Sequence, residues 1–370
     1  MRHGIDHRLR AGLIAGLTVL AAFTCLSATP AAIAQTVPAV TEGDYTVSNY
    51  RFKTGEVLPQ VKLHYRTLGK AERNDRGQVT NAVLILHGTT GNGAKFVAPP
   101  YAGVLFNPGQ LLDASRYYII VPDNVGHGRS TKPSDGLHAR FPQYDYDDMV
   151  DLQHQLLVDG LKVNHLRLVM GTSMGCMHSF LWGETFPDFV DALMPLACNT
   201  IPIAGRNRIV RKLAIDAIVH DPGYNGGEYQ TQPGGLNTAI DVLAIMVASP
   251  LQLQKDYPTG ELADAYLEQF RKTMRETLDA NDVVYSFRAS RNYNPSPALS
   301  RIKVPVMAVN SADDFVNPPE LRSMEKEIRK IPQGHFVLLP ISDELRGHST
   351  HSLPLVWQDY LRQLLAMSGK

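Results

Sequence analysis

The stretch LVMGTSMGCMHSF, residues 168–180, sets Ser173 between Gly171 and Gly175, after an apolar run of strand type and ahead of a helical pattern. A serine in a tight strand-to-helix turn can act as a nucleophile on an acyl carbon. A side chain two residues to either side would collide with the neighbouring strand or helix, so glycine is required there for a physical reason. The pattern alone is weak, and its bland reading is a glycine-rich turn with an idle serine. Its place between strand and helix favours the nucleophile.

A serine hydroxyl needs a base to take its proton, and the base needs an orienting acid. On a sheet of this kind the order is serine, acid, histidine. Downstream, NSADDFVNPPE follows an apolar run, which puts Asp313 and Asp314 at the C-terminal end of a strand. Asp314 is preferred as the acid, with Pro318 keeping the loop compact, and Asp313 is the alternative. After the last apolar run, ISDELRGHSTHSLP offers His348 and His351, while His335 sits in the run itself. His348, preceded by Gly347 in a polar loop, is the preferred base. The acyl oxyanion calls for two backbone N–H groups. Met174, which follows the nucleophile, is one candidate, and Thr89 in LHGTTGNG is the other. That loop lacks a Walker lysine and a GxGxxG pattern, so it is not read as a nucleotide site. No cofactor and no metal is expected. Asp145, Asp147 and Asp148 are read as helix N-terminal acids rather than cation ligands. His127, near Arg129, is read as a satisfied turn histidine rather than part of the pocket rim. Cys176 and Cys198 are expected to be two buried thiols, with pairing the alternative.

The elements that must hold these residues alternate along the chain. Short apolar runs at 82–88, 117–123, 166–171, 192–197, 304–310 and 335–340 suit strands covered on both faces, and 61–69 alternates like a half-exposed strand. Helical spacing occupies 147–161, 174–186, 318–331 and 353–367. Strand and helix in alternation predict an α/β fold with a mostly parallel central sheet and helices on both faces. Residues 201–300 break the alternation with a helical pattern. They are read as a lid inserted between the strand runs at 192–197 and 304–310, dividing the core into 35–200 and 301–370.

Residues 1–34 carry Arg2, Arg8 and Arg10, then an uncharged apolar run, then Ala32-Ile33-Ala34. This is the order of a secretory signal, with cleavage expected after Ala34 and a periplasmic or secreted product. The run is short for a membrane span, so no membrane association is expected after cleavage. Lys+Arg and Asp+Glu are equal at 36 each, which removes the basic excess a nucleic-acid partner would call for.

Together these motifs resemble the α/β-hydrolase fold, and more narrowly its homoserine O-acetyltransferase branch. VKLHYRTLGK, NAVLILHG, DMVDLQHQLL, the elbow, DPGYNGGEY and LDANDVVYSFRAS match that branch in kind and order. DDFVNPPE and GHSTH fall where the branch keeps its catalytic acid and histidine, which supports Asp314 and His348. The resemblance also makes the lid helix pair a candidate homodimer surface.

Four departures bear on the reaction. The elbow reads Gly171-Thr172-Ser173-Met174-Gly175-Cys176 where the branch has Gly-Gly-Ser-Met-Gly-Gly. The oxyanion loop reads His87-Gly88-Thr89-Thr90-Gly91 in place of His-Ala-Leu-Thr-Gly. Ser349 follows the histidine where the branch has an acid, and Ile215 stands near the place of a lid arginine. With the leader, these departures predict an exported serine hydrolase cleaving a small carboxylic ester, or an amide, through an acyl-Ser173 intermediate. The alternatives are an O-acyltransferase of the homoserine type and a catalytically silent binding protein.

Overall fold

The computed structural model describes residues 37–369, so the expected signal segment and its cleavage point lie outside the described residues. Eight strands form one sheet in the order β1-β2-β4-β3-β5-β6-β7-β8. They are β1 (Thr41–Arg51), β2 (Val57–Leu68), β3 (Ala82–Leu86), β4 (Tyr118–Pro122), β5 (Leu168–Thr172), β6 (Leu193–Leu196), β7 (Val306–Ser311) and β8 (Gly334–Leu339). β1 and β2 pair antiparallel, β2 meets β4 antiparallel, and every pairing from β4 to β8 is parallel. β1 was not foreseen. Its polar sequence TEGDYTVSNYR lies at the sheet edge and buries only Val47 and Tyr50, so it lacks a continuous apolar run.

The central strands bury both faces, as their apolar runs require. On β3, Leu84 and Leu86 join the core that contains Phe180 and Trp182, while Val83 and Ile85 join the core that contains Phe96 and Trp357. That split follows from the two-residue period of a strand. Helices α1 (Ala94–Val97), α2 (Pro99–Leu105), α3 (Tyr146–Gln155) and α4 (Met174–Thr185) belong to the first part of the chain. Between β6 and β7 run α5 (Gly205–Val219), α6 (Gly235–Val247), α7 (Pro250–Asp256), α8 (Gly260–Arg275) and α9 (Ala280–Arg288). Ile218, Leu236, Ile240, Val284 and Phe287 pack into a separate apolar cluster that serves these helices. α11 (Pro354–Met367) closes the chain, and its Trp357 is fully buried.

One expected helix is broken. Residues 318–331 form a 3-10 turn at Pro319–Leu321, α10 (Ser323–Glu327) and a second 3-10 turn at Ile328–Lys330. Arg322 takes φ 48° in the left-handed region, which ends the first turn before a helix can propagate. The chain leaves β3 towards β4 on one side and returns to β5 on the other. The crevice beyond the C-terminal ends of β3 and β5 is therefore where such a sheet opens to a ligand.

Candidate active site

Ser173 follows β5 and precedes α4 in that crevice, with φ 55° and ψ −110°, a conformation L residues rarely adopt. Its N–H donates to the Leu196 carbonyl at 2.9 Å, and the Gly175 N–H donates to the His87 carbonyl at 3.0 Å. The turn is thus pinned to the strands on both sides. A Cβ on Gly171 would lie 1.9 Å from the Gly175 carbonyl oxygen, and one on Gly175 would lie 2.2 Å from that of Leu86. Both glycines are there because backbone occupies the space a side chain needs.

The three residues expected to cooperate are brought into one chain of hydrogen bonds. Ser173 Oγ lies 2.8 Å from His348 Nε2, and His348 Nδ1 lies 2.9 Å from Asp314 Oδ2. Burial by itself would raise the Asp314 carboxyl. The facing His348 ring, the Asn317 amide and the Val316 N–H outweigh it and hold the group below the usual carboxylate range. Asp313 has a different place, since its Oδ2 accepts the Gly347 N–H at 2.9 Å and so supports the histidine loop. Gly347 has φ 59°, and a Cβ there would meet the Ala248 carbonyl at 2.6 Å. His351 packs edge-on against His348 with ring centroids 5.2 Å apart, and burial pushes its pKa well down. His335 is exposed on β8.

Thr89 borders the cavity beside Ser173, and Met174 is the first residue of α4, whose N–H has no intrahelical acceptor. A Cβ on Gly88 would come within 3.2 Å of Ser173 Cβ, so this glycine lets the 87–91 loop lie against Ser173. The loop is held from behind. His127 Nε2 lies 2.7 Å from the Thr89 carbonyl, and Asp123 accepts from Gly93 N–H at 2.7 Å while pairing with Arg66 at 2.9 Å. His127 is thus buried and satisfied, and it also supports the loop. His87, next to the loop, accepts the Asn124 N–H at Nε2, and burial lowers its pKa to about 3, so the ring is neutral. Asp145 and Asp148 form a reciprocal capping box at the start of α3.

Two features were missed. The expected free thiols are a Cys176–Cys198 disulfide, with Cα atoms 5.8 Å apart. The Ser173–Leu196 backbone bond draws the first turn of α4 against the end of β6, which sets the two cysteines side by side. The second is Arg211, on α5, which is 2 % exposed and lines the cavity with Ser173 and His348. Ile215 stands near the place expected for a lid arginine. Arg211 lies four residues earlier, on the same helix face.

Comparison with known proteins bears on what this geometry serves. The alpha/beta hydrolase fold family matches residues 81–203. A homoserine O-acetyltransferase of Haemophilus influenzae is 30% identical over 303 residues, covering 72% of this chain and 81% of its own length. The chain belongs to the homoserine O-acetyltransferase-like branch of the α/β-hydrolase family. Solved structures are also similar in fold. A homoserine O-acetyltransferase from Bacillus anthracis superposes with TM-score 0.76 at 20% identity, over 90% of this chain and 98% of its own. Esterase E22 superposes with TM-score 0.77 at 19% identity, over 88% of this chain and 100% of its own. At those identities the structural likeness shows the fold alone.

The kinship corrects the hydrolase reading. The relative that carries the family assignment is an acyltransferase, so the exported ester hydrolase gives way to the transferase alternative. The departures at the elbow and at the 87–91 loop leave Ser173, His348 and Asp314 in one hydrogen-bonded chain. Cys176 is engaged in a disulfide, and Gly88 replaces alanine at the point of close approach to Ser173.

Proposed function

We propose that this protein is an O-acyltransferase that passes an acyl group through Ser173 to the hydroxyl of a small alcohol. The observation that carries the proposal is the unbroken relay from Ser173 Oγ through His348 to Asp314, at the mouth of a cavity of about 320 Å³. In the first half-reaction His348 Nε2 takes the serine proton while Oγ attacks the donor's acyl carbon. Asp314 keeps the ring in the tautomer with hydrogen on Nδ1 and stabilises the imidazolium. The N–H groups of Met174 and Thr89 receive the oxyanion. The leaving group takes the proton from His348 and departs. In the second half-reaction His348 takes the acceptor's hydroxyl proton, the acceptor oxygen attacks the acyl carbon, and the bond to Oγ breaks. The proton returns to Oγ. Water and alcohol compete for the same acyl-serine, so the triad does not choose between them. The choice lies in the cavity.

The test is peptide mass spectrometry after brief exposure to acetyl-CoA or p-nitrophenyl acetate. The peptide carrying Ser173 should gain one acetyl group and lose it faster when small alcohols are added. An unmodified Ser173 alongside full product formation would sink the acyl-enzyme mechanism.

A further inference from the structure

Thr89 borders the cavity with Ser173 and His348, and its hydroxyl has nothing to bond to. The residue is 9 % exposed, and Oγ1 is buried without a hydrogen-bond partner among the described residues. A buried hydroxyl left unpaired is costly, and a valine of the same shape would avoid that cost. Two contacts keep the residue in place. Gly91 N–H donates to the Gly88 carbonyl at 3.0 Å, which closes a turn around Thr89 and Thr90. Thr89 stands in the wall between this cavity and a second one lined by His127 and Arg129, and its carbonyl is turned to His127 Nε2 at 2.7 Å. On the other side, Gly88 lies against Ser173. The related branch has leucine at this place in the loop, so the hydroxyl is a departure of this chain.

Resting on the acyl-Ser173 mechanism above, we infer that the Thr89 hydroxyl is a third donor to the oxyanion, beside the N–H groups of Met174 and Thr89. Its acceptor comes into being with the tetrahedral intermediate. As Ser173 Oγ bonds to the acyl carbon, the carbonyl π pair moves onto oxygen, and that oxygen accepts from Oγ1–H. The proton stays on Oγ1 throughout. When the intermediate collapses, the electron pair returns to the C=O bond and the hydroxyl is unpaired again. A donor that is idle in the ground state and engaged in the intermediate lowers the barrier between them. The same oxyanion forms when alcohol or water attacks the acyl-serine, so both half-reactions are accelerated.

Thr89→Val removes the hydroxyl and keeps the shape. The p-nitrophenol burst from p-nitrophenyl acetate reads acylation whatever then attacks the acyl-enzyme. It should slow by about 10- to 100-fold, as expected for losing one hydrogen bond to a charged oxygen, with KM little changed. Breakdown of acetyl-Ser173 should slow by a similar factor. A trifluoromethyl ketone, whose adduct with Ser173 carries the same oxyanion, should lose affinity to match. Melting temperature should hold or rise, because a methyl replaces an unpaired hydroxyl. Thr89→Ser should recover most of the rate, and Thr89→Ala carries the test if the valine variant does not fold. Thr200→Val, which deletes another buried and unpartnered hydroxyl at a residue that does not border this cavity, should leave acylation unchanged. Acylation as fast in Thr89→Val as in the unaltered protein overturns the inference. So does slower acylation with a lower melting temperature and an unchanged ketone affinity, which is the mark of a structural role. A slowing confined to acylation overturns it as well, since the hydroxyl would then serve the departing group. An unaltered protein that gives no burst and does not bind the ketone refutes the acyl-serine mechanism itself, and the inference with it.

Discussion

Each member of the proposed triad owes its position to a residue of a particular kind beside it. Ser173→Ala should remove acyl-enzyme formation, and Asp314→Asn should cost about 10⁴-fold in rate while leaving the fold intact. Asp313→Asn should cost far less, because Asp313 meets the Gly347 backbone rather than the histidine ring. Transient-state acylation rates of the three variants check this ranking, and comparable losses in Asp313→Asn and Asp314→Asn would contradict it. Gly175→Ala places a methyl 2.2 Å from the Leu86 carbonyl oxygen. It should lower both stability and acylation, read by thermal melting and burst amplitude. Most of the candidate site was legible at this scale, since serine, aspartate and histidine each sat in a loop after an apolar run. Arg211 was not, because an arginine on a lid helix has the same sequence signature whether it faces solvent or a cavity.

At the scale of elements, the site depends on how β5, α4 and β6 are tied together. The Cys176–Cys198 disulfide closes a 22-residue separation between α4 and the end of β6. In the chain-entropy account it stabilises by about 3 kcal/mol. Reduction, or Cys198→Ser, should lower the melting temperature, and because Cys198 borders a pocket with Ser173 it should also slow acylation. Melting and acylation unaffected by reduction would contradict this. The parallel strands were readable because burial on both faces demands continuous apolar runs. β1 was not, because an exposed edge strand needs none. The segment at 318–331 carries helical spacing, yet a left-handed Arg322 interrupts it, and periodicity does not report a single backbone angle. The cysteine pairing was also closed to sequence, because it follows from the contact of β5 with β6 rather than from spacing.

For the whole molecule, buried carboxyls set a pH dependence of definite sign. Burial, with help from nearby acids, raises Glu184 to about 8 and Asp148 to about 6. Burial raises Asp282 to about 7 against the opposing bonds from Ser134. Each folded-state value lies above the unfolded one, so the stability these groups contribute is complete below the unfolded pKa, near about 4, and is lost as pH rises through the folded values. Melting temperature should therefore decline between about pH 4 and about pH 8, and Glu184→Gln should flatten the upper part of that decline. Asp314 acts in the opposite direction. Its depressed pKa gives a contribution present above the unfolded value and lost as pH falls through the folded one. The measurement that bears most directly on the central claim is product partition in a single turnover. Protein acetylated at Ser173 is freed of donor and mixed with a panel of small alcohols that includes hydroxy acids and homoserine. The acetyl group is then followed into ester or acetate. An acyltransferase delivers most of it to an alcohol, and Ser173→Ala delivers none. Acetate alone, formed at a rate no alcohol changes, would contradict the account.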